Sequence, residues 1–385
     1  MSRAYDITLF GATGFTGGKT AEYLALHAPF DLRWAIAGRS QQKLAAVKAR
    51  LVALNGRCQS VGTVEASVDD ADSLQRMAAQ TRVLITTVGP FIDYGEPVVR
   101  ACVEQETDYI DSTGEPNFMQ LVLARYAEAA ARRNLRIVPS CGFDSIPADL
   151  GALFTVQQLP RDQPIRLAGY LSLKASFSGG TEQSAIKSWA PPPGPVVVPA
   201  PPVTNGRRVR LFRSKIERRP ELASWTSPLP TIDGSVVLRS AASIDRYGPD
   251  FSYAHNAVHG SLGMLIAALW VFGGLAFFAR FAPLRALLLK LVKKSGEGPS
   301  EAQMSASWFK LRFIAECAGK TVQTEVSGGD PGYAETSKML AESALCLALD
   351  RESLPVRAGV LTPAEAMGDR LLERLQRAGL RFSVL

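Results

Sequence analysis

The stretch Tyr5-Asp6-Ile7-Thr8-Leu9-Phe10 runs directly into Gly11-Ala12-Thr13-Gly14-Phe15-Thr16-Gly17. An apolar run bounded by glycine reads as a strand. Glycines at i, i+3 and i+6 let the backbone turn sharply, approach a pyrophosphate closely and open a helix tight against a sheet. The helix expected over about Gly17–His27 would aim its N-terminal amides and positive dipole end at that ligand. A second apolar run, Leu32–Ala37, completes a β–α–β pattern. Glycines also serve ordinary tight turns, so a purely structural unit is the competing reading. The strand before the turn and the helix and strand after it favour a dinucleotide site made by Gly11, Ala12, Thr13, Gly14, Phe15, Thr16 and Gly17.

The end of the second strand discriminates between nucleotides, because a carboxylate there would bind the free 2′-hydroxyl of NAD. This chain has Gly38-Arg39-Ser40, with Lys43 one turn further on. A guanidinium fork, a hydroxyl and an ammonium suit a 2′-phosphate, and no carboxylate follows to repel it. NADP(H) is therefore expected over NAD(H), held by Arg39, Ser40 and Lys43. The alternative is a solvated helix start.

The chain has 385 residues, 46% of them hydrophobic, enough for two domains rather than one. Its net charge of +7 is modest for this length, and no nucleic-acid signature accompanies it. The basic excess suits acidic substrates such as phosphopantetheine or coenzyme A thioesters, or an anionic membrane surface. Five scattered cysteines without a Cys-x-x-Cys pair fit a reducing compartment and argue against a zinc site. His255 and His259 would share a helix face but lack the glutamate of a metalloprotease helix, so no metal is expected. A strand beginning almost at once leaves no visible signal peptide. A cytoplasmic location is expected, with peripheral contact at the inner face of the plasma membrane as an extension of it.

Through about residue 140 strands alternate with helices, as a Rossmann-type doubly wound parallel sheet requires. Expected strands are Ile7–Phe10, Leu32–Ala37, Val83–Thr87, Tyr109–Asp111 and Ile137–Pro139; expected helices are Gln42–Leu54, Ser73–Gln80, Glu96–Glu104 and Asn117–Arg133. Asp69, Asp70 and Asp72 suit a helix cap. After Cys141–Pro147 the character changes to short strands such as Ile165–Ser172 and Arg207–Phe212, with a proline-rich loop from Pro191 to Pro202. The expected α/β organisation is a dinucleotide-binding domain over 1–145, completed by about 335–385, and an inserted α+β domain over 146–334. Thr362-Pro363 marks a last helix that packs back on the nucleotide domain.

Ser261 to Ala279 contains no charged residue, and Arg280, Arg285, Lys290, Lys293 and Lys294 follow among leucines. About 20 apolar residues can cross a bilayer, but a single span would separate Thr336 onward from the domain it completes. The readings left are a buried core or homodimer-interface helix, a monotopic insertion or greasy lid, and a true span. Gly273-Gly274 favours a break into two pieces. Peripheral membrane contact is assigned to 261–294, and the apolar segment of the second domain to 261–292.

Loops at the carboxyl ends of strands face the ligand crevice. This places Val88, Gly89 and Pro90 beside the nicotinamide end of the cofactor. Tyr94 and Asp144 are the candidate catalytic groups, with an amphipathic wall residue and a helix cap as their respective alternatives. Ser145 shares the Asp144 loop. Cys141 has no histidine partner, which disfavours nucleophilic catalysis. Ser178–Glu182 reads as a helix start able to hold a substrate carboxylate or phosphate, or as a simple cap.

Gly11–Gly17, Ala37–Ser40, Val88–Phe91 with Tyr94–Pro97, Asp111–Glu115, Cys141–Pro147 and Gly329–Tyr333 together resemble the saccharopine dehydrogenase-like oxidoreductases. Within them the chain is most similar to the branch containing the mycobacterial trans-acting enoyl reductases. The resemblance covers nearly the whole chain. It implies a Rossmann domain completed by C-terminal residues and a second domain that shapes the substrate site. It also implies NADPH-dependent reduction of an enoyl thioester on a lipid or polyketide chain carried by an acyl carrier protein or coenzyme A. Phe91 stands where many relatives lead one to expect a tyrosine. Two rivals stand beside this reading. One is a non-catalytic, lipid-surface NADP(H)-binding sensor; the other is an amino acid dehydrogenase acting on C–N bonds. Saccharopine itself is disfavoured, since a small polar substrate has no use for the apolar segment.

Overall fold

A computed structural model describes residues 3–175, 186, 206–291 and 299–385. Ser178–Glu182, Pro191–Pro202, Lys293 and Lys294 lie outside the described residues. The first half alternates β1 (Tyr5–Phe10), α1 (Phe15–His27), β2 (Trp34–Gly38), α2 (Gln41–Leu54), β3 (Gly62–Glu65), α3 (Ala71–Ala79), β4 (Thr81–Thr86), α4 (Phe91–Glu104), β5 (Asp108–Asp111), α5 (Pro116–Arg132) and β6 (Arg136–Val138). Its strands are apolar on both faces because helices cover both; in β1, Ile7, Thr8, Leu9 and Phe10 are all buried. Asp70 caps α3 by accepting from the Ser73 amide at 3.1 Å, as its position in the sequence suggests.

The second half runs α6 (Ile146–Gln157), β7 (Ile165–Lys174), β8 (Arg208–Leu211), β9 (Glu217–Arg219), β10 (Ser224–Pro228), α7 (Asp233–Ser243), β11 (Asp250–His259), α8 (Leu262–Ala279), α9 (Ala282–Leu291), α10 (Glu301–Ser305), β12 (Trp308–Cys317) and β13 (Lys320–Gly328). It closes with α11 (Thr336–Leu349), β14 (Gly359–Val360), α12 (Pro363–Arg377) and β15 (Arg381–Val384). Two sheets result. The first is parallel, in the order β14-β6-β5-β4-β1-β2-β3; the second is mixed, in the order β15-β13-β12-β7-β11-β10-β9, with β8 on β11. Strand order reverses between β1 and β4. At such a switch point the loops on either side diverge and leave a crevice at the carboxyl ends of the strands.

Several expectations need correction. Residues 335–385 complete the first sheet only in part: α11 packs on β1 and β4 and β14 pairs with β6, but β15 pairs with β13 in the second sheet. β3 and β14 were not anticipated, since four and two residues are too short to display a period. His255 and His259 lie on strand β11 rather than on a helix. Gly273-Gly274 does not break α8, which runs unbroken to Ala279; nothing lies within 4 Å of where either glycine's Cβ would be. Nor is α8 a core helix of this chain, because only Leu265 and Ala279 in it are buried.

The two sheets are joined by a buried clasp. Asp149 on α6 accepts from Ser240 Oγ of α7 at 2.5 Å and from the Ala364 amide of α12 at 2.8 Å. Thr362 caps α12 through a capping box with Glu365. Burial pushes the Asp149 carboxyl up to about 7, against the hydrogen bonds that lower it. Between the usual carboxylate range and about pH 7 the unfolded chain has released a proton that the folded chain keeps, so this group costs stability as pH rises through that window. Asp149→Ala should lower unfolding free energy by roughly 1–3 kcal/mol by leaving the buried Ala364 amide without its acceptor, while Ser240 keeps Thr362 as a partner. Asp149→Asn should remove this residue's share of the pH dependence, as denaturant melts at pH 5 and pH 8 would show.

Candidate active site

The glycine turn after β1 is tight because no side chain fits. Gly11 has φ +92°, and a Cβ on it would meet Thr87 Oγ1 at 2.6 Å and Val88 Cγ2 at 2.9 Å. A Cβ on Gly17 would stand 2.2 Å from the Gly11 carbonyl oxygen. The turn closes through the Gly14 amide, which donates to Gly11 O at 2.9 Å. α1 begins with Gly14 as its N-cap and no side chain capping it, so the first-turn amides beside exposed Thr13 and Gly14 are left for an anion. The C-terminal part of the chain supports this turn from outside. Phe15 meets the Tyr333 ring edge-on at 4.7 Å, and Ser337 Oγ donates to Thr16 O at 3.3 Å.

Arg39 follows β2 and is exposed; it makes no ion pair among the described residues. Ser40 accepts from the Lys43 amide at 3.4 Å as the N-cap of α2, so it has a structural role as well. Lys43 is exposed on the first turn of that helix. One expectation is overturned here: a carboxylate does lie close, because β3 pairs Gly38 with Glu65 in register. Sequence reasoning missed it because β3 was not recognised.

The loop after β4 carries Val88, Gly89 and Pro90, with Val88 against the Gly11 turn. It is braced from below. Glu115 accepts from the Phe91 and Ile92 amides, each at 2.9 Å. Asp111, buried, accepts from the Thr113 and Ser140 amides at 2.8 Å and from Tyr109 Oη at 2.7 Å. Burial raises the Asp111 carboxyl to about 6. The Asp111–Glu115 motif thus clamps three strand-end loops together. Phe91 is a buried core residue.

A cavity of about 180 Å³ lies between the loop after β6 and the face of the second sheet. Phe143, Leu171, Leu173, Leu229 and Leu311 supply apolar walls, and Asp144, Asp233 and His255 the polar groups. Asp144 packs against Gly114, where a Cβ would stand 2.6 Å from its carboxylate. Asp144 itself is exposed to solvent at the cleft; the walls crowding its carboxyl, and then the charge of Asp233, push it up to about 7. Asp233 accepts from Thr231 Oγ1, and burial raises it to about 7 as well. His255 is held by Tyr253, whose Oη lies 2.8 Å from Nδ1; Gly169 on β7 makes room for that pair, since a Cβ there would meet Tyr253 Oη at 2.6 Å. Burial lowers His255 to about 4, so its ring is neutral at pH 7. Among the described residues its buried Nε2 has no hydrogen-bond partner, and Asp233 Oδ2 is 3.9 Å away.

The structure therefore brings Asp144 together with two groups that sequence reasoning missed or set aside, Asp233 and His255. It does not bring Tyr94 to them. Tyr94 sits in the first turn of α4, 41% exposed, and is not among the residues lining the cavity. Cys141 is fully buried, and burial pushes its thiol well up, so it is inert. A larger open groove of about 520 Å³, lined by Arg166, Arg210, Asp250 and Glu316, lies at the opposite end of β7 and β11. At about 3.3 Å per residue it is roughly 20 Å from Leu171 along the strand, too far to share chemistry.

Residues 7–138 match the family model described as the saccharopine dehydrogenase NADP binding domain. Over its full length the chain is similar to a Mycobacterium tuberculosis protein named for trans-acting enoyl reduction: 38% identity, covering 98% of this chain and 97% of that one. The chain belongs to the saccharopine dehydrogenase-like oxidoreductase family. The mouse saccharopine dehydrogenase-like oxidoreductase is 32% identical, covering 100% of this chain and 98% of that one. Apo saccharopine dehydrogenase (L-Glu forming) from Saccharomyces cerevisiae shares the fold with a TM-score of 0.54 at 14% identity, covering 98% of this chain and 99% of that one. As a member of the family, this chain is an NADP(H)-binding oxidoreductase, and the glycine cradle and Arg39 fit that cofactor.

Two outcomes follow. Gly17→Ala should weaken NADPH binding at least about ten-fold by forcing the turn open, with the far-ultraviolet circular dichroism retained. Arg39→Ala should cost about ten- to a hundred-fold in NADPH affinity, the worth of a charge-assisted hydrogen bond to phosphate, and leave NADH affinity unchanged. Calorimetric titration with both nucleotides checks each.

Proposed function

We propose that this oxidoreductase reduces the carbon–carbon double bond of an enoyl thioester on a lipid or polyketide chain. The observation that carries the reading is the cavity's chemistry: apolar walls, two carboxyls raised to about 7, and a neutral histidine whose Nε2 has no hydrogen-bond partner among the described residues. NADPH, when bound, supplies the hydride. With Tyr253 donating to Nδ1, His255 carries its proton on Nε2 and offers it to the thioester carbonyl oxygen, where negative charge grows as the double bond is reduced. Asp144, protonated, delivers a proton to the α-carbon. Asp233 keeps Asp144 protonated, because two carboxylates close together in an apolar site resist ionising at once. The leucines and Phe143 pack the acyl chain, and the bound chain covers the Asp144 carboxyl during this step.

The names of relatives support the same reading, since the mycobacterial ones are named for trans-acting enoyl reduction; a carrier protein or coenzyme A would hold such a substrate. An amino acid dehydrogenase needs a cation for the substrate carboxylate; among the described residues lining the cavity there is no lysine or arginine. A non-catalytic sensor would have no use for an acid poised at neutral pH.

The test is the loss of NADPH absorbance with a panel of enoyl thioesters of increasing chain length, set against saccharopine and keto acid plus amine. Consumption with a thioester alone is expected; turnover only with the amino acid pair overturns the reading. Asp144→Asn should lower kcat by about 10²-fold, within the usual range for a lost general acid, with NADPH affinity unchanged. Because the acid form must donate, the wild-type rate should fall as pH rises through about 7, and the variant's residual rate should be flat there.

A further inference from the structure

We propose that the α8–α9 hairpin inserts into one leaflet of an anionic lipid bilayer and anchors the enzyme there. This inference is independent of the reaction at the cavity. α8 is long and apolar enough to cross a membrane, yet only 11% of it is buried. Trp270 is 79% exposed, Met264 61% and Val271 58%, with Leu262, Ile266, Leu269, Phe277 and Phe278 also exposed. At 3.6 residues per turn these side chains spread over roughly 220° of the helix circumference. Only a narrow stripe, containing Leu265 and Ala279, turns toward protein.

That distribution selects the occupant. A protein groove reads one face of a helix, with anchors at i, i+3, i+4 and i+7. A helix apolar over well over half its circumference is solvated instead by a medium that wraps it, which hydrocarbon does. Large apolar patches of this extent are not left bare in water.

Charge names the kind of bilayer. The apolar helix ends at exposed Arg280, and Lys290 is exposed on α9. Arg285 donates to the Ala279 carbonyl at 3.0 Å, closing the turn between the helices. Among the described residues of this hairpin, 261–291, there is no acidic side chain. Basic groups at the edge of an apolar element are drawn to anionic headgroups.

Topology decides insertion against crossing. The chain enters the hairpin from β11 and leaves it into β12, and both strands pair with β7. Entry and exit therefore lie on the same side of any bilayer. α9 has ten residues, about half of what a returning span needs. The hairpin dips into one leaflet and comes back.

Flotation of the purified full chain tests this, with vesicles of phosphatidylcholine alone or mixed with phosphatidylglycerol. The wild type should float with the mixed vesicles and far less with the neutral ones. The doubly substituted Trp270→Glu, Val271→Glu chain should float at least about ten-fold less, with NADPH affinity unchanged as the control for folding. Arg280→Glu with Lys290→Glu should erase the preference for anionic vesicles. Two results overturn the proposal: equal flotation of wild type and the Trp270, Val271 variant, or a wild type that ignores vesicles and forms a dimer that the same variant dissolves. The second result would make the hairpin a protein interface.

Discussion

A methyl group has no place between Gly17 and the carbonyl of Gly11, and that exclusion organises the nucleotide half of the molecule. A Cβ there would stand 2.2 Å from the oxygen, well inside contact. The closeness lets α1 start within the turn and present uncapped amides, and it draws the loop after β4 against Gly11 through Val88. Helices that start without a side-chain cap leave donors unsatisfied, at a cost unless a ligand accepts them. The turn is thus stable as part of the fold and complete only with an anion. Support comes from about 320 residues away in sequence, where Tyr333 and Ser337 pack on Phe15 and Thr16. The cradle is held from both ends of the chain.

The same economy of space shapes the cavity. Gly114 admits the Asp144 carboxylate and Gly169 admits the Tyr253–His255 pair. Each glycine removes a side chain so that a polar group can sit against backbone, Asp144 at the open side of the cleft and His255 buried in its wall. Desolvation then acts in opposite directions on the acid and on the base: Asp144 rises to about 7 while His255 falls to about 4. At pH 7 His255 is neutral and able to donate a hydrogen bond, while about half of Asp144 keeps its proton and is able to give it. An apolar pocket can tolerate that pair where it could not tolerate two charges.

Much of the nucleotide half was readable from sequence because its signals are local. The run from Tyr5 to Gly17 places a strand, a turn and a helix within thirteen residues, and the alternation after it repeats every few tens of residues. β3 and β14 escaped because strands of four and two residues carry no period, and with β3 went the carboxylate of Glu65 beside Gly38. The cavity escaped for a different reason. Asp144, Asp233 and His255 come from a loop, a helix start and a strand, the second 89 and the third 111 positions after the first. The pairing of β7 with β11 sets His255 in the cavity wall. Tyr94 drew attention by standing just after a strand, but α4 starts at Phe91, pinned by Glu115 from a loop twenty-odd residues on.

Strand β11 connects the two proposals physically. His255 sits in the cavity wall, and four residues later, at His259, the strand ends and the hairpin begins. At about 3.4 Å per residue that is roughly 14 Å, less than the thickness of one leaflet with its headgroups. Leu171 and Leu173 line the cavity on the adjacent strand and run toward the same end, since Ala257 pairs with Leu171 in register. An acyl chain whose thioester lies at His255 therefore has apolar surface leading toward the hairpin rather than toward the charged groove at the other end of the strands. Inserting the hairpin in a leaflet would turn that path toward hydrocarbon. A long-chain substrate could then reach the catalytic groups without exposing its full length to water, and each buried methylene would be worth about 0.8 kcal/mol.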